Sequence, residues 1–239
     1  MMTWRRLGRT LGVLLATASC AGLCASTSAA ELDEILDRFD DVQGSISTLS
    51  AAFTETTTNQ LLIDPISAEG QFFMTKPDSI RWEYSIPEEM RFVIFQDQYT
   101  GYFPAQKRAE KRNIHRWSEQ IFRFFGLGQG TTELMKFYDI TLDGTHDSST
   151  GTYLLLLEPR KRRVRKRIPE VRFWLDKDTY LPAKVEYRSK SGNTRVVEFH
   201  EIRLNPDLAA NLYHVEIPSD VQVSSGFSGL PSFNPDSTQ

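Results

Sequence analysis

Cysteine is nearly absent from this chain of 239 residues. The two cysteines, Cys20 and Cys24, both lie close to the N-terminus. The rest of the chain therefore cannot form a disulfide framework, a zinc–thiolate site or a cysteine nucleophile. None of the four histidines has a metal-ligand spacing to another, and the sequence contains no nucleophile elbow. We predict a protein that is not an enzyme and that needs no cofactor and no metal.

The sequence also lacks an apolar run long enough to cross a membrane comfortably. Its first 30 residues instead carry the pattern of a secretory signal peptide. Three arginines precede a short apolar stretch over residues 11–25, and the small residues Ser28 and Ala30 follow. This pattern predicts that residues 1–30 are removed between Ala30 and Glu31. The adjacent arginines Arg5 and Arg6 leave both Sec and twin-arginine export open.

Positive charge is scarce outside one segment. Removal of the leader, which holds three arginines and no acidic residue, leaves 25 basic and 31 acidic residues. Seven of those basic residues lie in EPRKRRVRKRIPE, residues 158–170. Export excludes a nuclear signal and argues against nucleic acid, so the segment is either a solvated hairpin loop or a docking surface for anionic headgroups or an acidic receptor. The docking residues would be Arg160, Lys161, Arg162, Arg163, Arg165, Lys166 and Arg167.

Apolar residues follow a helical spacing first and a strand-like alternation afterwards. Leu32, Ile35, Leu36 and Phe39 fall on one face of a helix. In most of the remaining chain apolar and polar residues alternate with period two, as in SIRWEYSI. Turn signals divide this part into about ten or eleven predicted strands. After the sixth strand the alternation stops, which predicts short helices.

These patterns predict a mainly β fold of the α+β class. A long antiparallel meander must hide its apolar face, and it can curl into an unclosed half-barrel that the helices cover. We assign this domain to residues 31–223 and a flexible tail to residues 224–239, which are rich in Ser, Gly and Pro. The 15 phenylalanines suit an apolar cavity inside such a half-barrel.

The stretch EGQFFMTKPDSIRWEY, residues 69–84, resembles the outer-membrane lipoprotein carrier protein family, the LolA-like periplasmic chaperones. The shared pattern is a strand, a turn formed by a basic residue and proline, and a strand ending in Arg-Trp-Glu-Tyr. Three further features occur in the same order as in the family. They are an N-terminal helix, a helical insertion and the segment YHVEIPSDVQV (residues 213–223), which resembles the family's final strand. The resemblance covers roughly Glu31 to Val223.

The resemblance implies a periplasmic monomer that binds the acyl chains of lipoproteins between the half-barrel and a helical lid. Such a carrier receives its cargo from an inner-membrane ABC-type complex and passes it to an outer-membrane receptor or the membrane surface. The implied cavity residues are Phe72, Met74, Ile80, Trp82, Tyr84, Phe92 and Ile94. The implied lid residues are Phe122, Phe125, Leu134 and Met135. We expect this lid to open for the ligand, with residues 126–130 as its hinge.

One position departs from the family pattern. Many members carry arginine before the proline of the turn, where it holds the lid, whereas this chain carries Lys76. A lysine cannot make a forked contact, so Lys76 and Arg81 are both candidates for the lid latch. Relatives of this fold also include glycolipid carriers and lipoprotein-sensing regulators. Transport of another amphiphile and envelope sensing therefore remain alternatives to lipoprotein transport.

Overall fold

The N-terminal helix is longer than its apolar pattern indicates. The computed structural model describes residues 23–60, 63–115 and 130–227, and in it helix α1 spans Leu23–Ser45. Its buried residues include Ile35, Leu36 and Phe39, as the spacing predicts. The helix passes without a break through the predicted cleavage point after Ala30, which is exposed. No helix in these ranges is both long and apolar enough to span a membrane.

The described residues form one sheet of twelve strands, which confirms the mainly β class and the unclosed sheet. The first six strands are β1 Thr48–Thr58, β2 Ile66–Thr75, β3 Ser79–Ile86, β4 Met90–Phe95, β5 Gln98–Phe103 and β6 Arg108–Asn113. The other six are β7 Tyr138–Leu142, β8 Thr152–Pro159, β9 Glu170–Asp176, β10 Pro182–Arg188, β11 Thr194–Leu204 and β12 Gln222–Ser224. Two further short helices are α2 Thr131–Leu134 and α3 Arg162–Arg165.

Pairing between β1 and β11 joins two antiparallel meanders into this sheet. The strand order is β12-β6-β5-β4-β3-β2-β1-β11-β10-β9-β8-β7. The first meander runs from β1 to β6 and the second from β7 to β11, with each strand paired to its neighbour along the chain. Since β1 and β11 are the longest of these strands, at 11 residues each, the two meanders are joined by one long strand pairing at the centre of the sheet.

Alternating apolar and polar residues in LYHVEIP, residues 212–218, predict one more strand at the end of the series. This prediction is wrong. Residues 212–218 form turns and irregular chain, and the last strand is β12, which pairs parallel to β6. This segment is held by side-chain contacts and not by strand pairing. The Tyr213 hydroxyl lies 2.7 Å from that of Thr75, and the ring of Tyr213 stacks on Phe95. Further along, the ring of Phe227 packs 4.5 Å from that of Tyr99.

Gly70 of β2 lies where the neighbouring strands leave no room for a side chain. A Cβ at this position would lie 2.0 Å from the carbonyl oxygen of Glu83 and 2.7 Å from the ring of Phe53. The register of β2 and β3 also shifts between Glu69 and Gly70, and beyond this irregularity Ile86 is exposed. Glycine is therefore required here by space, because any larger residue would push two strands apart.

We expect Gly70→Ala to lower the free energy of unfolding by about 1–3 kcal/mol, since it overpacks a filled site. Urea denaturation measures this change. Gly144→Ala is the matched control, because a Cβ at Gly144 meets nothing within 4 Å. Equal stability of the two variants would contradict the packing described for β2.

Candidate functional site

The concave face of the sheet carries two apolar clusters. The first cluster lies mainly on β1–β5 and contains all seven residues expected to line a cavity. Each of them is at most 2% exposed. Trp82 lies at their centre, with its ring centroid 4.8 Å from those of Phe53 and Phe72. The structure thus brings the seven residues together, but as tightly packed side chains in a closed state.

The second cluster lies on β7–β10 and is covered by α1 and α2. It encloses a cavity of about 20 Å³, which is room for roughly one water molecule. The cavity is lined by Leu36, Phe39, Thr131, Leu134, Tyr138, Ile140, Leu155, Leu157, Val171, Phe173 and Val185. This lining is almost wholly apolar. The site in this structure is therefore an apolar space between the sheet and the two helices, called here the apolar seam, and it must widen before it can hold a ligand.

The two expected lid residues that the structure describes differ in burial. Leu134 on α2 is buried and lines the cavity. Met135, the next residue, is 36% exposed. Phe122, Phe125 and the hinge residues 126–129 lie outside the described residues.

Sequence reasoning did not identify the residues of the β7–β10 side of the cavity. Leu155 and Leu157 belong to the continuous apolar run YLLLLEP. Such a run predicts a strand but not which face of it is buried. The alternation in VRFWLD was a usable signal, because it places Val171 and Phe173 on one face. Both residues are buried in the second cluster.

Asp40 of α1 clamps the first residue of α2. Its Oδ1 accepts a hydrogen bond of 2.6 Å from the Thr131 amide, and its Oδ2 accepts one of 2.6 Å from the Thr131 hydroxyl. The residue before α2 is Gly130, which has no side chain to cap the helix. Asp40 therefore supplies, from another helix, the acceptor that a helix N-terminus needs. This contact holds α2 against α1 directly over the cavity.

Lys76 ties the β2–β3 turn to the end of α1. Its Nζ donates to the carbonyl oxygen of Gln43, in the last turn of the helix. A cation is favourable there, because the carbonyl end of a helix carries partial negative charge. Partial burial lowers the pKa of Lys76 below its usual value. The lysine thus fixes α1, and within the described residues its contact is not to α2.

Arg81, the other latch candidate, holds the C-terminal segment. Its Nη1 donates to the carbonyl oxygen of Leu212 over 2.7 Å, and its Nε donates to Glu83 over 2.9 Å. Burial alone would raise the pKa of Glu83, but the hydrogen bonds from Arg81 and Arg91 outweigh it and lower that pKa. Arg81 lies between the buried Ile80 and Trp82 along β3. Its side chain and this network therefore lie on the face of the strand opposite the first cluster.

A buried polar group lies on the seam between the two clusters. The Tyr84 hydroxyl donates to Glu55 over 2.8 Å, and Arg195 forms an ion pair of 3.2 Å with the same carboxylate. Burial raises the pKa of Tyr84 well above its usual value. Because the carboxylate has both partners, we assign it a structural role. No group of acidic, histidine or cysteine side chains in the described ranges is arranged to hold a metal ion.

The basic segment forms the connection between β8 and β9. These strands pair antiparallel, so the predicted hairpin is confirmed. The connection contains α3, and every residue from Arg160 to Arg167 is exposed.

Comparison with known proteins agrees with this fold. The sequence profile of the family described as "Outer membrane lipoprotein carrier protein LolA" matches residues 44–216. No curated protein matches the chain. An uncharacterized conserved protein from Thermus thermophilus superposes with a TM-score of 0.53 at 14% identity, covering 81% of this chain and 98% of that one. At this identity the likeness is one of fold.

Two other solved structures are similar at lower TM-scores. A LolA superfamily protein from Nitrosomonas europaea has a TM-score of 0.41 at 12% identity, covering 77% of this chain and 97% of its own. The lipoprotein LppX from Mycobacterium tuberculosis has a TM-score of 0.47 at 13% identity, covering 76% of this chain and 99% of its own.

Replacing Asp40 with alanine should loosen α2 without unfolding the sheet. Loss of a helix cap is worth about 1 kcal/mol, so amide hydrogen exchange at Thr131 should become roughly fivefold faster. NMR-detected exchange measures this rate at the single residue. Asp41→Ala is the matched control, because the neighbouring Asp41 is exposed. Unchanged exchange at Thr131 in the Asp40 variant would contradict the clamp.

Proposed function

The chain belongs to the outer membrane lipoprotein carrier protein family, and on that premise we propose that it carries the acyl chains of lipoproteins from the inner to the outer membrane. It acts as a carrier and not as an enzyme. The observation that supports this most directly is the apolar seam between the sheet and the two helices. The seam is lined by eleven residues, of which Thr131 and Tyr138 carry side-chain hydroxyls.

Acyl chains would enter by displacing α2 and then α1 from the concave face. A cavity already lies beneath α2 in the second cluster, so opening would start there. Release of the Asp40–Thr131 clamp frees α2 first. Movement of α1 would next uncover the first cluster, including Ile80 and Trp82, because Val42 of α1 packs against it. In this proposal the two clusters are successive parts of one binding surface.

The closed state keeps the binding of acyl chains reversible. Burying a methylene group contributes about 0.8 kcal/mol, so several long chains in a dry preformed pocket would approach the practical ceiling of about −18 to −21 kcal/mol for non-covalent binding. Helices that already occupy the same apolar surface must be displaced. Their lost packing opposes binding and lowers the net affinity, so the cargo can leave.

We place this carrier in the periplasm, between two protein or membrane partners. An inner-membrane ABC-type complex would load the cargo, and an outer-membrane receptor or the membrane surface would accept it. The transferred group is the acylated N-terminus of the lipoprotein, because only its hydrocarbon chains match the apolar seam. No energy source on the carrier itself is needed in this scheme.

Acyl-chain binding should depend on Leu134 but not on its neighbour. We expect Leu134→Asp to weaken binding of a fluorescent fatty acid by at least about tenfold, since it places a charge in the apolar seam. The same substitution should reduce release of acylated lipoproteins from spheroplasts.

Met135→Asp is the matched control for this experiment. Met135 lies one residue further along and is 36% exposed, so the same charge there should leave both measurements nearly unchanged. Equal effects of the two substitutions would contradict the placement of acyl chains beneath α2. Probe binding by the wild-type protein without any lipoprotein release would retain the acyl site and contradict lipoprotein transport.

The exported protein should begin at Glu31. Ala29 and Ala30 are exposed, and from Ala29 onward Ile35 is the first buried residue, so a cut after Ala30 leaves the packed residues Ile35, Leu36 and Phe39 in the exported chain. Intact-mass spectrometry of protein from the periplasmic fraction measures this end. Ala30→Arg should block cleavage, because a signal peptidase requires a small residue before the cut. A periplasmic wild-type protein that retains residues 1–30 would contradict the leader.

A further inference from the structure

The basic segment, residues 160–167, is a structured projection of the sheet. Helix α3 lies within it, and the amide of Arg165 donates to the carbonyl of Lys161 over 3.0 Å. The amide of Ile168 closes the last turn on the carbonyl of Val164 at 2.9 Å. Ile168 is half-buried against the second cluster. The segment is thus anchored at its base and presents its side chains in a defined arrangement.

Two of its cations are neutralised by the strands beside it. Arg160 forms an ion pair of 2.9 Å with Asp139, and Arg165 forms one of 2.7 Å with Glu158. Lys161 lies over the ring of Phe137, 5.6 Å from its centroid. These contacts involve three of the seven cations.

Three cations of the segment have no such partner. Arg162, Arg163 and Lys166 are exposed, and within the ranges that the structure describes they form no ion pair. Leaving out the leader and the seven cations of this segment, the sequence contains 18 basic and 31 acidic residues. An acidic protein therefore keeps three positive charges without an ion-pair partner on one short helix and the residue directly after it.

An apolar side chain stands among these charges. Val164 is 40% exposed, in the middle of α3. A structured turn that presents an apolar group between cations suits the boundary between headgroups and acyl chains. The turn also lies beside the cavity, because the amide of Arg160 donates to the carbonyl of Phe137 over 2.8 Å. Phe137 follows the cavity-lining Leu134 by three residues.

We infer that the basic segment docks the protein on an anionic phospholipid surface. Arg162, Arg163 and Lys166 lie among the headgroups, and Val164 contacts the acyl boundary. A fluid lipid surface fits better than an acidic protein, because long unpaired side chains around an apolar residue need no fixed pattern of carboxylates. Docking in this orientation brings the α2 side of the cavity next to the membrane. The inference is independent of the proposed cargo, because surface docking does not require acyl-chain binding.

Vesicle flotation with the exported protein tests this docking. The wild type should bind vesicles of phosphatidylglycerol and phosphatidylcholine, bind pure phosphatidylcholine vesicles poorly, and dissociate at high salt. The triple variant Arg162→Gln, Arg163→Gln and Lys166→Gln should lose roughly a hundredfold in affinity, as expected for three charges near an anionic leaflet. Val164→Asn should lose several-fold in affinity with the salt dependence retained.

The matched control removes the same charge elsewhere. The triple variant Lys107→Gln, Lys111→Gln and Arg203→Gln changes three exposed cations on other strands and loops, and it should bind like the wild type. Equal losses in the two triple variants would overturn the docking surface, as would wild-type binding that ignores lipid charge. Wild-type binding to an acidic peptide but not to anionic vesicles would also overturn it and assign the segment to a protein partner.

Both triple variants should bind a fluorescent fatty acid as the wild type does. Failure of the wild type to bind the fatty acid would contradict the proposed carrier function alone. Failure to bind anionic vesicles would contradict the docking inference alone. The two proposals are therefore separable in one set of samples.

Discussion

The packing of α1 across the concave face is the interaction on which the rest of the structure depends. Leu36 and Phe39 of this helix reach the second cluster, while Val42 packs on the first. An unclosed sheet leaves an apolar face that water would otherwise meet, and α1 covers it at the seam of the two meanders. The helix also carries Asp40, which positions α2, and its last turn accepts Lys76. Access to the apolar face therefore requires that these helices move.

This arrangement makes ligand and helices competitors for the same surface. The seven residues first expected to line a cavity are packed as tightly as any protein core, with exposures of at most 2%. Their shape fits neighbouring rings in the closed state, so they offer no ready pocket. A small apolar cavity lies instead beneath α2, which Asp40 ties to α1 through Thr131. In the proposed carrier function, binding would begin at this cavity and would extend to the first cluster only for larger cargo.

The sequence predicts the local elements well because their signals are local. The stripe from Ile35 to Phe39 and the alternation from Ile80 to Tyr84 each follow from spacing, and the hairpin that holds the basic segment follows from its flanking strands. The Asp40–Thr131 clamp could not be predicted, since it joins residues 91 positions apart. The irregularity at Gly70 and the side-chain anchoring of residues 212–218 also depend on tertiary neighbours. These contacts replaced the strand that the alternation in LYHVEIP favours.

Paramagnetic NMR with a spin-labelled fatty acid tests the central claim that acyl chains bind beneath α1 and α2. The account predicts that the methyl signals of Leu155, Leu157 and Val185, which line the cavity, broaden on addition of the labelled ligand. The methyl signals of Ile66 and Leu204, which are 50% and 40% exposed, should remain sharp. Broadening of the exposed methyl groups with sharp signals from the cavity would contradict the account.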